Sequence, residues 1–327
     1  MRISIICPVF DTPPHLLAAA AFSVLGDPSA VIGQLILVDD GSGQPETLHA
    51  LEAIAGSDPR VLLLRAPQNL GPASARNLGI RAAREDWIGF LDADDAWLPD
   101  HASRVRRLVA EHPDASWIGA GHCLSPTDGV TTPAPRLRCP GGQRIAPDLQ
   151  RFEGPELTRV LLSDFQLHLG AMVVRRALAE AVGGFAEGLS YFEDFLFMAK
   201  LSTRAPLFYL DTDGYRWRRD EAGLTAHSRR LDPSSLQMHT VAARDPDLYP
   251  FRREVRWARY SATKGLALNN LLAGRRRQAL RLALRGWAID PREISDFLLF
   301  LRLWLRRSEG AAYSRYSGAE RFTVRRA

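Results

Sequence analysis

This sequence is poor in lysine and cysteine and contains no long apolar run. Lys200 and Lys264 are its only lysines; every other cationic side chain apart from histidine is an arginine. That bias fits a GC-rich genome, so no function is drawn from it. The three cysteines, Cys7, Cys123 and Cys139, form no CxxC pair. This odd, sparse set excludes a disulfide framework, and its spacing suits no zinc site. A membrane-spanning helix needs about 18 or more apolar residues, and no such run occurs. The nearest candidate, Phe297 to Leu305, is interrupted by Arg302. The opening Met1-Arg2-Ile3-Ser4-Ile5-Ile6-Cys7-Pro8 is too short for a signal peptide and reads as a first strand. Neither GxxxxGK[ST] nor GxGxxG is present, which argues against a P-loop NTPase and a dinucleotide dehydrogenase. These absences together predict a cytoplasmic chain.

What is present begins with size. The 327 residues suit one large α/β domain with a C-terminal addition, or two domains. Hydrophobic content of 46% and charged content of 24% allow an ordinary buried core. The net charge of +5 hides an asymmetry. From Phe251 to the C-terminus, 18 Lys plus Arg face 6 Asp plus Glu, a net of +12; the remainder carries a net of −7.

Apolar runs at Ile3 to Val9, Leu35 to Val38, Val61 to Leu64, Trp87 to Leu91, Ser116 to Ala120 and Ala171 to Val174 predict strands. Helical patterns over Leu16 to Leu25, Glu46 to Ala55, Ala73 to Arg84 and Pro99 to Glu111 alternate with the first strands. Further helices are predicted over Glu156 to Leu162 and Phe192 to Ser202. Alternation implies a mainly parallel sheet with helices on both faces. Ser125 to Gly154 is rich in Pro and Gly and reads as a long loop or lid. From Val255 onward Gly274 and Pro291 separate three predicted helices.

The most informative feature is Phe90-Leu91-Asp92-Ala93-Asp94-Asp95. Three carboxylates within four positions repel one another, and folding does not require them. Two readings are open: an Asp-rich turn capping the next helix, or ligands for a hard cation such as Mg²⁺ or Mn²⁺. In an open parallel sheet, ligands bind beyond the carboxyl ends of the strands. Asp39-Asp40-Gly41-Ser42 and the stretch from Asn69 to Gly79 also fall at such ends. The first is a good turn sequence as well. The second is either a loop and helix cap or an anion site to which Arg76 adds charge.

Pro8-Val9-Phe10, Val38-Asp39-Asp40-Gly41-Ser42, the Asn69 to Gly79 motif and the Asp92 to Asp95 cluster occur in that order. Together with Gly183-Gly184-Phe185 and Glu193-Asp194 they strongly resemble the family 2 glycosyltransferases of GT-A fold. The resemblance covers roughly residues 1 to 225. It implies inverting transfer of a sugar from a nucleotide diphosphate donor, with a UDP-sugar favoured. It implies that Pro8, Val9 and Asp39 line the nucleoside pocket and that Asp39 or Asp40 bonds the base. Gly71 and Arg76 would lie near the donor. Asp92 and Ala93 would face its ribose or sugar, and Asp94, with Asp92, would hold Mn²⁺ or Mg²⁺ on the diphosphate. Asp194 matches the general base; a helix N-terminal carboxylate is its bland alternative. Arg216 and Arg218, in Tyr215-Arg216-Trp217-Arg218, would bind the diphosphate. His227 is either a late metal ligand or a surface histidine. His168 either faces the acceptor or satisfies the core, and the role of Asp95 stays open.

In the tail, Arg275, Arg276, Arg277, Arg281 and Arg285 share a helix with Leu280, Leu284 and Trp287. Such a basic amphipathic surface suits either peripheral contact with anionic lipid or a solvated helical hairpin. No nucleic-acid module accompanies the charge. The expectation is a metal-dependent glycosyltransferase domain over residues 1–230, with a basic helical region over 231–327. Its acceptor would be a glycan or lipid-linked saccharide of the cell envelope, reached from the inner membrane face. A sugar nucleotidyltransferase and a catalytically idle, membrane-associated scaffold are the alternatives.

Overall fold

The structure is a computed structural model that describes residues 1–126, 130–163, 166–189, 191–219 and 233–305. Its centre is an 11-stranded sheet. Strands β1 (Ile3–Val9), β2 (Ile32–Asp39), β3 (Val61–Arg65) and β4 (Trp87–Phe90) pair in parallel, in the spatial order β3-β2-β1-β4. They alternate with α1 (Pro14–Leu25), α2 (Pro45–Ser57) and α3 (Pro72–Ala82), each of which opens with proline, where a missing N–H costs nothing. Strand β5 (Ala96–Trp97) and helix α4 (His101–Glu111) follow. Beyond β4 the sheet becomes mixed: β10 (Val173–Arg175) lies antiparallel between β4 and β6 (Trp117–Pro126), and β11 (Leu207–Arg219) pairs in parallel with β6.

The alternating side chains of the strands feed two cores. On one face Ile6, Ile36, Ile88 and Phe90 pack against α3, α5 (Pro155–Ser163) and α7 (Glu193–Ser202). On the other, Ile3, Ile5, Leu35 and Leu37 pack against α1 and α4. Both faces are therefore covered, as the near-continuous apolar runs require. Gly79 lets α3 approach β1 closely: a Cβ there would lie 2.3 Å from Ile6 Cγ2. That approach fixes where the polar residues of α3 point.

The stretch expected to be a long loop differs. It contains β7 (Thr132–Pro133), and β8 (Gln143–Ala146) and β9 (Leu149–Phe152) form a hairpin that β9 joins to β11. Its proline and glycine residues fall mostly between these short strands, and Leu149 and Phe152 point inward. Strand β11 and helix α6 (Arg176–Ala181) were not expected; α8 (Pro233–Ala242) falls within the stretch expected to be helical.

The C-terminal helices are α9 (Arg252–Leu272), α10 (Arg276–Ile289) and α11 (Ile294–Leu305). Gly274, at φ +74°, separates α9 from α10, and Pro291 opens the turn before α11. Met238, Ala242 and Val255 share the core of α5 and α7, whereas Ala267, Ala279, Ala283 and Phe300 form a separate small cluster. Among the described residues no helix is long and apolar enough to cross a membrane.

Candidate active site

The carboxyl ends of β1, β2 and β4 lie along one edge of the sheet. Antiparallel β10 places its N-terminal approach, His168 to Met172, on the same edge. The parallel pairing of β11 with β6 brings Tyr215 to Arg218 there.

The first end is built from loop clamps. The Asp40 carboxylate accepts from the backbone N–H groups of Leu70 (2.9 Å) and Gly71 (2.8 Å), tying the loop after β2 to the loop that opens α3. Burial raises the Asp40 pKa, and those two bonds oppose the rise. Asp39 is buried and accepts from Ser42 N–H at 2.9 Å. Gly41, at φ +79°, allows the contact: a Cβ there would sit 2.6 Å from the Gln68 carbonyl carbon. Pro8 and Val9 end β1 beside this turn; Val9 is buried and Pro8 half-buried.

The centre is an acid cluster crossed by one guanidinium. Arg76, buried on α3, donates to Glu193 Oε1 at 2.6 Å and to Asp92 Oδ1 at 2.8 Å. Burial works against its charge, but Asp92 and Glu193 outweigh burial and hold its pKa above the usual arginine value. Its Nε lacks a hydrogen-bond partner. Next along the helix, Asn77 clasps Phe185 reciprocally, donating to its carbonyl and accepting from its N–H, both at 2.9 Å. Gly184, at φ +66°, makes room for that clasp: a Cβ there would lie 2.5 Å from Asn77 Oδ1. The Asn69 to Gly79 motif therefore positions the segment leading to Glu193 and Asp194. Phe192, just before them, has φ +66°, a conformation that is costly for a large side chain and that gathers at functional sites.

Asp194 is half-buried in the first turn of α7 and accepts from Phe195 N–H at 2.8 Å. Burial, then the neighbouring Glu193 charge, raise its pKa to about 7. Asp95 is buried; it accepts from the Tyr215 hydroxyl and from Arg218 N–H, each at 2.7 Å. Burial and the charges of Asp92 and Asp94 push its pKa up to about 9. Asp92 goes the other way: despite burial, Arg76 and then His168 hold it below the usual carboxylate range. Its N–H donates to the Tyr215 hydroxyl at 3.2 Å. Ala93 is buried and Asp94 exposed. Arg216 is exposed and pairs across from Ala96, whereas Arg218 is half-buried and its backbone N–H holds Asp95. His227 lies outside the described residues.

Carboxylate oxygens of Asp92 and Asp95 and a ring nitrogen of His168 lie within 4.8 Å of one another. The His168 Nδ1 accepts from Gly170 N–H at 3.2 Å, and burial drops its pKa to about 3. A neutral ring accepting at Nδ1 carries its proton on Nε2, so it offers a donor, not a lone pair, to an ion. The cation donors that fit are thus carboxylate oxygens, the donor class of Mg²⁺ and Mn²⁺. Asp92 and Glu193 share the Arg76 guanidinium, and carboxylate oxygens of Asp92 and Asp95 lie close enough together to meet one cation.

Sequence reasoning left two features out. The rings of His122, His168, Tyr215 and Trp217 form a wall beside the acids, with centroids 4.6 to 6.2 Å apart. Tyr215 itself links Asp92 to Asp95. The alternation of Tyr215 and Trp217 with Arg216 and Arg218 was the available signal for a strand.

Sheet order, an acid cluster after β4 and a carboxylate pair opening a helix across from it define a GT-A-type glycosyltransferase fold. The family model described as glycosyl transferase family 2 matches residues 4–164, and over that segment the chain is similar to this family. An uncharacterised protein, y4gI of Sinorhizobium fredii, is 30% identical over 71% of this chain and 24% of its own length. The succinoglycan biosynthesis protein ExoW of Rhizobium meliloti is 29% identical over 55% of this chain and 57% of its own. The chain thus spans a quarter to just over half of these relatives. Among solved structures, S. aureus TarS 1-349 in complex with UDP-GlcNAc aligns with a TM-score of 0.62 at 17% identity, covering 89% of this chain and 82% of that one. At that identity the likeness is one of fold.

Proposed function

We propose that the chain transfers a sugar from a nucleotide diphosphate donor to a hydroxyl acceptor with inversion, in building an envelope polysaccharide. The match to the glycosyl transferase family 2 model supports glycosyl transfer. The names of ExoW and of TarS, the latter solved with UDP-GlcNAc, support a polysaccharide product and a UDP-sugar donor. In this reading residues 1–230 form the catalytic domain, and residues 231–327 add basic helices that meet the inner face of the membrane.

Pro8, Val9 and Asp39 border the nucleoside. Asp40 acts on that pocket by pinning Leu70 and Gly71. Asp92 and Asp94 hold Mn²⁺ or Mg²⁺, with Asp95 behind them. A bound divalent ion stabilises the diphosphate as it leaves. Arg216 and Arg218 add charge near that leaving group. Arg76 keeps Asp92 ionised and fixes Glu193, and so the start of α7. Asp194 takes the proton from the acceptor hydroxyl as the oxygen attacks the anomeric carbon from the face opposite the leaving group.

The observation that carries this reading is the environment of Asp194. It is a half-buried carboxylate whose pKa of about 7, raised by burial and then by the neighbouring Glu193 charge, matches a base working near neutral pH. Asp194→Asn is expected to cut transfer by about 10²–10⁴-fold while UDP binding stays within a few-fold. Equal loss of binding and transfer would remove Asp194 from the role of base.

A further inference from the structure

A cavity of about 450 Å³ lies among α8, α9 and α10, and none of its lining residues belongs to the acid cluster. Four arginines line it: Arg252, Arg256 and Arg259 along α9, and Arg285 from α10. The spacing of the first three places them on one side of the helix. Among the described residues, none of the four makes a carboxylate ion pair. The carboxylates on the flanking elements are engaged elsewhere: Glu254 with Arg159, Asp245 with Lys200 and Asp247 with Arg204. Asp290, whose charge Arg256 also reaches, is gripped by Arg292 through two bonds of 2.8 Å. The Arg259 Nε is buried without an acceptor.

We propose that this cavity is a binding site for a phosphate group carried on a partly apolar molecule. Guanidinium forks match phosphate oxygens in pairs, and four of them converge with no carboxylate ion pair among the described residues. Leu248, Val255 and Ile289 supply apolar wall beside the arginines, which suits a phosphate ester more than a bare ion. Burial, and then the charges of Arg285 and Arg244, lower the pKa of Arg259, as expected of a cation awaiting an anion. The rim is apolar too: Tyr249, which lines the cavity, is exposed. A lipid headgroup and a soluble phosphate ester share this chemistry. The site is separate from the donor edge, so the inference stands independently of the transferase reading.

The test uses the full chain and two double variants, Arg259→Gln/Arg285→Gln and Arg252→Gln/Arg256→Gln, the second at exposed positions that leave the fold intact. Calorimetry with inorganic phosphate is expected to show binding that weakens about tenfold in each variant. The same binding should persist in Asp94→Ala. Flotation with vesicles of phosphatidylglycerol and phosphatidylcholine, against phosphatidylcholine alone, distinguishes the sources. Charge-dependent flotation lost in the variants assigns a lipid headgroup; phosphate binding without flotation assigns a soluble ester. Absence of both, or binding equal in wild type and variants, would overturn the site.

Discussion

At the carboxyl edge of the sheet, Asp92 and Glu193 share the Arg76 guanidinium within a cluster that also holds Asp94, Asp95 and Asp194. Among α8, α9 and α10, four guanidiniums line a cavity whose neighbouring carboxylates are bound elsewhere. Each region concentrates groups of one sign, acidic in the first and basic in the second, in different settings. The acids sit on loops and a helix start locked by clamps: Asp40 to Leu70 and Gly71, Asn77 to Phe185, Tyr215 between Asp92 and Asp95. The arginines sit on regular helices and keep long, adaptable stems. Under the functions proposed above, the contrast separates a site that must hold an ion and a reacting group in fixed geometry from one that needs only to attract a phosphate.

Breaking the one internal counter-charge of the acid edge should have the largest effect. Arg76→Met leaves Glu193 and Asp92 unpaired and is expected to destabilise the protein by about 3–5 kcal/mol, read by urea unfolding. An unchanged midpoint would show that the pairs are idle. Gly184→Ala comes next. It places a Cβ 2.5 Å from Asn77 Oδ1 at φ +66° and should cost about 1–3 kcal/mol, with transfer falling further than stability because Asp194 moves. Asp95→Asn comes third. Asp95, with its pKa pushed up to about 9, is already protonated near neutral pH, so the change relieves no charge; it replaces one of two buried acceptor oxygens and should cost about 1 kcal/mol while weakening ion-dependent UDP binding. On the basic side, Arg285→Gln should instead raise the melting temperature slightly, because it relieves repulsion with Arg259 at an exposed position.

The pH dependence follows the same charges. Burial raises Asp194 from its ordinary 3.8 to about 7, so the proposed base is mostly charged only above that value. Transfer should therefore rise with pH to a plateau, half-maximal near about 7, and Asp194→Asn should lack that limb. For stability the sign is reversed. Between about 4 and 7 the unfolded chain gives up this proton first, so the contribution of Asp194 to stability falls as pH rises.

The strands that carry the site were legible because each is a short apolar run ended by turn residues. Ile3 to Val9, Leu35 to Val38 and Trp87 to Leu91 all fall inside or at the ends of β1, β2 and β4. The ordered motifs after them pointed to one edge. The long-range partners were not legible. Arg76 reaches Glu193 across 117 positions, and the sequence offered Arg76 only as charge for an anion. Strand β11 escaped because Asp211, Asp213 and Gly214 interrupt its apolar run, though its pairing with β6 outweighs their poor strand propensity. The β8–β9 hairpin was hidden among proline and glycine residues that mark its connections. His168 reached the acid edge through the antiparallel entry of β10, which periodicity alone cannot orient.

The most direct test is calorimetric titration of UDP into wild type and Asp94→Ala, each with and without Mn²⁺. Binding that needs the ion in wild type and is lost in Asp94→Ala is the result expected of an acid edge built for a cation and a diphosphate. UDP binding that ignores both the ion and the substitution, or no binding under any condition, would contradict it.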